Sequence, residues 1–181
     1  MNVLLSLAAS GKITGLSYGC FQDCLKQIEI PGRFERIPYQ DRLFVIDFAH
    51  NADSLEKLCQ TVKKLYARPI ILVFGSVGER SEGRRIPLAR VAEKYARLSV
   101  ITADDPGNEP LFKILAELHG AFFDKSRAVT VPDRAEAIRY AYRISRKGEI
   151  IVLAGKGHER HQKIGKEEIA FCEREIITEL K

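Results

Sequence analysis

No apolar run in this sequence is long enough to span a bilayer, which leaves no transmembrane segment to place. The opening MNVLLSLAAS is apolar but lacks a basic stretch before it and turns polar at Gly11-Lys12, so it reads as a helix rather than a signal peptide. None of the four cysteines, Cys20, Cys24, Cys59 and Cys172, forms a C-x-x-C pair. They read as reduced, half-buried residues of a cytoplasmic protein, with no metal site expected among them. Basic runs and aromatic–basic stripes are also missing, so nucleic acid is not an expected partner, and the net charge of +5 is only a mild basic excess. There is no internal repeat and no low-complexity segment.

Two phosphate-binding signatures are absent as well. No G-x-G-x-x-G follows the first expected strand, which removes the dinucleotide-binding reading at its first requirement. Gly78-Glu79-Arg80-Ser81-Glu82-Gly83-Arg84-Arg85 has the glycine frame of a P-loop, but lacks the lysine for the β- and γ-phosphates and the hydroxyl for Mg²⁺. Ser10-Gly11-Lys12-Ile13-Thr14 has a Gly-Lys pair without an upstream glycine or a preceding strand.

What is present is an ordinary globular composition and a regular alternation. The 181 residues are 45% hydrophobic and 29% charged, enough for one domain with a real core plus a short extra element. Residues 1–30 read as two short helices: Leu4, Leu5, Leu7 and Ala8 form one apolar face, and Phe21, Leu25 and Ile28 another. Pro31-Gly32 marks a boundary, and 31–41 reads as a linker.

Over residues 42–181 strands are expected at 43–48, 69–74, 98–102, 128–131 and 149–154. Helices are expected at 52–66, 86–96, 111–119, 134–144 (after an Asp133 cap) and 167–180. The continuous apolar runs ILVF and IIVLA fit central parallel strands, which are buried on both faces. The pattern predicts an α/β, doubly wound, mostly parallel, Rossmann-like sheet preceded by a short helical segment.

Open parallel sheets bind ligands at the carboxyl ends of their strands. Here those ends carry Asp47-Phe48-Ala49-His50-Asn51, Gly75-Ser76-Val77-Gly78-Glu79-Arg80, Asp104-Asp105-Pro106-Gly107-Asn108-Glu109 and Gly155-Lys156-Gly157-His158-Glu159. Glycine and aspartate make tight turns and caps anyway, which accounts for any one loop. It accounts poorly for four loops with paired charges. His50 and His158, taken singly, fit capping or structural roles as well as catalytic ones, and His119 and His161 read as surface residues.

In order along the chain, Pro31-Gly32-Arg33-Phe34-Glu35, Asp47-Phe48-Ala49-His50-Asn51, the glycine loop ending in Glu79-Arg80, Asp104-Asp105-Pro106, Asp133-Arg134 and Ala154-Gly155-Lys156-Gly157-His158-Glu159 resemble the Mur ligases. The last string is the most specific, and it points to the branch that adds the third residue of the peptidoglycan stem peptide. The resemblance covers nearly the whole chain. It implies a C-terminal, amino-acid-binding domain, with residues 1–30 as the helical tail of a central P-loop ATPase domain that this chain otherwise lacks.

The implied chemistry uses ATP and Mg²⁺ in the full-length enzyme. A carboxylate of a UDP-N-acetylmuramoyl-dipeptide takes the γ-phosphoryl group, and the amine of a free amino acid attacks the acyl phosphate. Such a reaction is mostly positioning and charge stabilisation. By resemblance, Arg33, Asp47, His50 and Asn51 line the nucleotide side. Arg80 pairs with the incoming α-carboxylate, Asp104, Asp105, Pro106 and Gly107 read the side chain, and Gly155 and Glu159 receive the amino end. No catalytic residue and no metal ligand is assigned to this chain, which is expected to be inactive alone.

Two departures bear on the substrate. The family's loop after the second strand usually has two adjacent glycines followed by Asp-Arg-Asp, where this chain has Val77-Gly78-Glu79-Arg80-Ser81. Members that use meso-diaminopimelate have Asp-Asn-Pro-Arg after the third strand, where this chain has Asp104-Asp105-Pro106-Gly107. An unpaired distal carboxylate there would cost about 2–5 kcal/mol, whereas a lysine ammonium would gain Asp105 and Glu109 as acceptors. The expectation is therefore L-lysine, or another amino acid without a second carboxylate, rather than meso-diaminopimelate. Glycine merely shaping the turn, with Arg84 or Arg85 replacing the missing arginine, stays open. So do two other functions: a stand-alone non-catalytic binding module, and the equivalent domain of a folylpolyglutamate or cyanophycin synthetase.

Overall fold

The computed structural model describes residues 2–15, 19, 29–79 and 82–180, in two compact units, Met1–Ile30 and Pro31–Lys181. In the first unit, helix α1 spans Asn2–Thr14; Leu7 of its expected apolar face is buried and Ala8 exposed. The expected second helix, carrying Phe21, Leu25 and Ile28, lies outside the described residues, as do Cys20 and Cys24.

The second unit is built on a six-stranded sheet in the order β1-β2-β6-β3-β4-β5. Its strands are β1 (Glu35–Tyr39), β2 (Arg42–Asp47), β3 (Ile70–Phe74), β4 (Leu98–Ile101), β5 (Ala128–Thr130) and β6 (Ile150–Ala154). All neighbours pair in parallel except β1, which runs antiparallel to β2. The helices are α2 (Ala52–Tyr66), α3 (Arg85–Tyr95), α4 (Leu111–Gly120), α5 (Arg134–Ile144) and α6 (Glu173–Thr178).

Period-two alternation along buried strands sends successive side chains to opposite faces. Ile70, Leu72 and Phe74 of β3 join Leu55, Leu58 and Val62 of α2, Leu88 and Ala92 of α3, and Ile114 and Leu118 of α4. Ile71 and Val73 face the other way, onto Ala137, Ile138 and Ala141 of α5 and Ile176 and Ile177 of α6. Every residue of β3 and β6 is buried, as central parallel strands require. Caps set the helix starts: Asn51 and Ser54 form a reciprocal capping box on α2, and Asp133 accepts from Glu136 N–H on α5.

Two expectations need correction. The expected linker 31–41 contains β1, whose Ile37 and Tyr39 pack against the second core cluster; a tight reversal with Gln40 at φ 50 lets it fold back on β2. The helix expected over 167–180 is instead a hairpin, β7 (His161–Ile164) with β8 (Glu167–Ala170), followed by the short α6. Gly165 at φ 61 makes the reversal, and the exposed EEIA segment pairs as a strand, where it has no face to bury as a helix.

Candidate active site

Registry aligns the carboxyl ends of β2 and β6: Asp47 stands opposite Ala154, and Gly155 N–H donates to Asp47 O at 3.0 Å. Asp47 is committed to backbone. Its Oδ2 accepts from Phe34 N–H at 2.7 Å and its Oδ1 from Ala49 N–H at 2.9 Å. Asn51, likewise, is occupied as the cap of α2.

Around them an exposed platform forms on Phe48. The Arg33 guanidinium lies 4.6 Å from its ring centroid, and the His50 and His158 rings stand 5.0 and 5.5 Å from it. Glycine permits this approach, because a Cβ on Gly32 would stand 2.0 Å from His158 N. Arg33 itself is exposed and rests on that aromatic face.

The turns after β4 and β6 are joined by buried charge. Lys156, without exposed surface, puts Nζ 2.7 Å from Asp105 Oδ1 and 2.6 Å from Glu159 Oε2. Asp105 Oδ1 also accepts from Lys163 N–H of β7 at 3.0 Å, and Gln162 Nε2 donates to Asp104 O at 2.7 Å. The hairpin thus braces this turn from outside.

Beneath lies Arg134, buried, which donates to Glu173 at 2.8 Å and to the carbonyl of Ala154 at 2.8 Å. Asp104 packs under Gly155, where a Cβ would come within 2.4 Å of its Oδ2. Burial pushes the Asp104 carboxyl above the usual carboxylate range, against the pull of Arg134 and Lys156. Burial also raises Glu173, against the same arginine.

The turns after β3 and β4 interlock in a third cluster. Gly78 N–H donates to Asp105 O at 2.9 Å, and Glu79 N–H to Glu109 Oε2 at 3.0 Å. Arg85, buried, clamps Glu109 with two bonds of 2.9 and 2.6 Å and reaches Glu117 at 2.5 Å. That clamp holds the Glu109 carboxyl down at about 2. Pro106 is buried, and Gly107, at φ 57, accepts from Gly165 N–H at 2.8 Å.

Asp105 and Glu159, from separate turns, therefore meet on one ammonium, with Gly155 and Asp104 packed beside them. Arg80 lies outside the described residues. Two expectations change. Asp105 and Glu109 are not free acceptors for a substrate ammonium, since Lys156 and Arg85 already neutralise them. Nor does Arg85 replace the arginine missing at position 107, because it is turned into the Glu109–Glu117 pair. Lys156 and Glu173 were not picked out from sequence, and Arg85 only as a stand-in for the missing arginine. Lys156 stands inside the quoted glycine string, but nothing local distinguishes a buried lysine from a surface one. Among the described residues no group of three or more His, Cys, Asp or Glu is placed to hold a metal ion.

Comparison with known proteins decides the family. Residues 32–157 match the model of the Mur ligase, glutamate ligase domain.

The chain belongs to the Mur ligase family.

Among its relatives, the UDP-N-acetylmuramoyl-L-alanyl-D-glutamate–2,6-diaminopimelate ligase of Syntrophomonas wolfei is 37% identical over 170 residues, covering 92% of this chain and 35% of that protein. The ligase of the same name from Geobacillus kaustophilus is 37% identical over 176 residues, covering 96% and 36%. A solved structure of such a ligase superposes with a TM-score of 0.77 at 32% identity, over 98% of this chain and 37% of that one. A Mycobacterium tuberculosis folylpolyglutamate synthase superposes at 0.68 with 20% identity, over 85% of this chain and 36% of that one, and shares the fold. This Mur ligase chain thus spans about a third of the length of the diaminopimelate ligases it matches. No helix among the described residues is long and apolar enough to cross a membrane.

Proposed function

We propose that this Mur ligase chain is the amino-acid-binding, C-terminal part of a cytoplasmic ATP-dependent ligase. The enzyme extends a UDP-N-acetylmuramoyl-dipeptide by one free amino acid through an acyl phosphate. The observation that carries the reading is the meeting of Asp105 and Glu159 on Lys156 at the carboxyl edge of the sheet. It puts two turns of the motif pattern into one charged locus, where parallel sheets bind ligands.

In this reading Arg80 holds the α-carboxylate. Glu159, whose Oε2 also meets Lys156, and the backbone of Gly155 receive the amino end, and Asp104 to Gly107 border the side chain. The Arg33–Phe48–His50 platform, with Asp47 and Asn51 bracing its base, faces the nucleotide. Residues 1–30 belong to a central ATPase domain, which supplies the P-loop and the sites for ATP and Mg²⁺. The chain alone is inactive.

The amino acid is L-lysine rather than meso-diaminopimelate, although relatives are named for the latter. Gly107 offers no guanidinium for a distal carboxylate, and Arg85 is unavailable. Joining this chain to the amino-terminal two-thirds of a diaminopimelate-adding relative and comparing kcat/KM tests the assignment. L-lysine is expected to be favoured, and a clear preference for meso-diaminopimelate would overturn it.

A further inference from the structure

We infer that Ile164 is an apolar wall of the side-chain subsite, packing on the methylene stem of the incoming amino acid, and that Gln162 holds it in position. The inference rests on the reading of this edge as the amino-acid site. It concerns the stem that L-lysine and meso-diaminopimelate have in common, so it stands whichever of them is added.

Hairpin β7–β8 lies outside the six-stranded sheet yet is tied to the turn after β4. Gln162 Nε2 donates to Asp104 O at 2.7 Å, and Lys163 N–H to Asp105 Oδ1 at 3.0 Å. Gly165 N–H donates to Gly107 O at 2.8 Å, and Gly107 N–H to Lys163 O at 3.4 Å. These last two bonds form a parallel bridge that pairs Ile164 with Gly107, a position that borders the substrate side chain in this reading. The bonds fix where Ile164 stands relative to the turn. Gln162 is the buried member of the set, and losing its amide would leave the Asp104 carbonyl without that donor.

Register decides which way the side chain faces. Antiparallel pairing sets Gln162 opposite Ile169 and Ile164 opposite Glu167. Paired residues, and residues two apart along a strand, share a face. Gln162 is buried against the turn, so its face is the inner one. Ile164 and Ile169 belong to that inner face but remain 44 and 47% exposed, and neither joins a core cluster among the described residues. The outer face carries His161, Lys163 and Glu168, all exposed. An uncovered isoleucine on the inner face, beside a turn at the carboxyl edge of the sheet, suits an alkyl stem, because it offers apolar contact and no charge.

The test titrates the isotope-labelled 181-residue chain with L-alanine (no stem), L-norleucine (a four-carbon stem without charge) and L-lysine. Amide shifts of Gly107, Gly155 and Lys163 are the readout. Ile164→Ala is expected to weaken L-norleucine and L-lysine by about three-fold each and to leave L-alanine unchanged. Gln162→Met is expected to lower the same norleucine-to-alanine preference with Ile164 intact, and to speed amide exchange at Gly107 and Lys163. An unchanged preference in Ile164→Ala, or an equal loss for all three amino acids, overturns the wall while leaving the amino-acid site standing. An unchanged preference in Gln162→Met overturns its positioning role. If none of the three amino acids shifts these amides in the unsubstituted protein, the site reading itself is overturned, and the inference falls with it.

Discussion

Lys156 Nζ lies 2.7 Å from Asp105 Oδ1 although 51 residues separate them, and the same ammonium lies 2.6 Å from Glu159. A fully buried cation is tolerated only when its charge is met, so the turns after β4 and β6 are tied through this one side chain. Lys156→Met leaves two partly exposed carboxylates without their partner. It is expected to cost about 1–3 kcal/mol of stability in urea unfolding. A change within about 0.5 kcal/mol, the range of ordinary surface substitutions, would show that the bridge contributes nothing to the fold.

Glu109 provides a pH dependence with a definite sign. Arg85 lowers its carboxyl from an ordinary 4.5 to about 2. A depressed folded-state value means that the contribution is fully present above the unfolded value and is lost as pH falls towards about 2. Tm is expected to drop between these limits, and Glu109→Gln to make that drop shallower. Parallel acid profiles for the two proteins would contradict the assignment.

Cys59 is buried, and burial pushes its thiol up to about 12. The thiolate is the reactive form. Iodoacetamide at about neutral pH should leave Cys59 unmodified in the native protein and label it after unfolding, while the half-buried Cys172 reacts before it. Peptide mass spectrometry reads the order, and early labelling of Cys59 would show that the α2–sheet core opens.

Two glycines separate space from backbone effects. A Cβ on Gly78 would stand 1.9 Å from Pro106 O, so Gly78→Ala must displace backbone at the interlocked turns. A loss of about 1–3 kcal/mol is expected, as for overpacking. Gly120, at the end of α4, has nothing within 4 Å of its would-be Cβ, and Gly120→Ala should stabilise by about 0.5–1 kcal/mol. Denaturant midpoints of both variants check the contrast; similar effects would remove the role of the Gly78–Pro106 contact.

The purified 181-residue chain is expected not to turn over ATP, since its sequence carries no G-x4-G-K-[ST] to cradle and activate the γ-phosphate. Phosphate release that depends on added peptide substrate and amino acid, above background, would refute this.

Much of the architecture is legible in sequence because its causes are local. The alternation from β2 to β6 follows from fully apolar strand runs, and the amphipathic helices announce themselves by spacing and by caps such as Asn51 and Asp133. The strand-end turns show where ligands would meet the sheet. Strand β1 and the β7–β8 hairpin escaped because their residues are largely exposed and become strands only through partners: Glu35 facing Ile46, His161 facing Ala170. Charge state at the candidate site was illegible for the same reason. Asp105 and Glu109 read as free acids, and only folding brings Lys156 and Arg85 onto them from 51 and 24 residues away. Hydrophobic periodicity and capping act within a few residues of chain and so are written in order along it, whereas the pairing of buried charges depends on distances that exist only once the sheet has assembled.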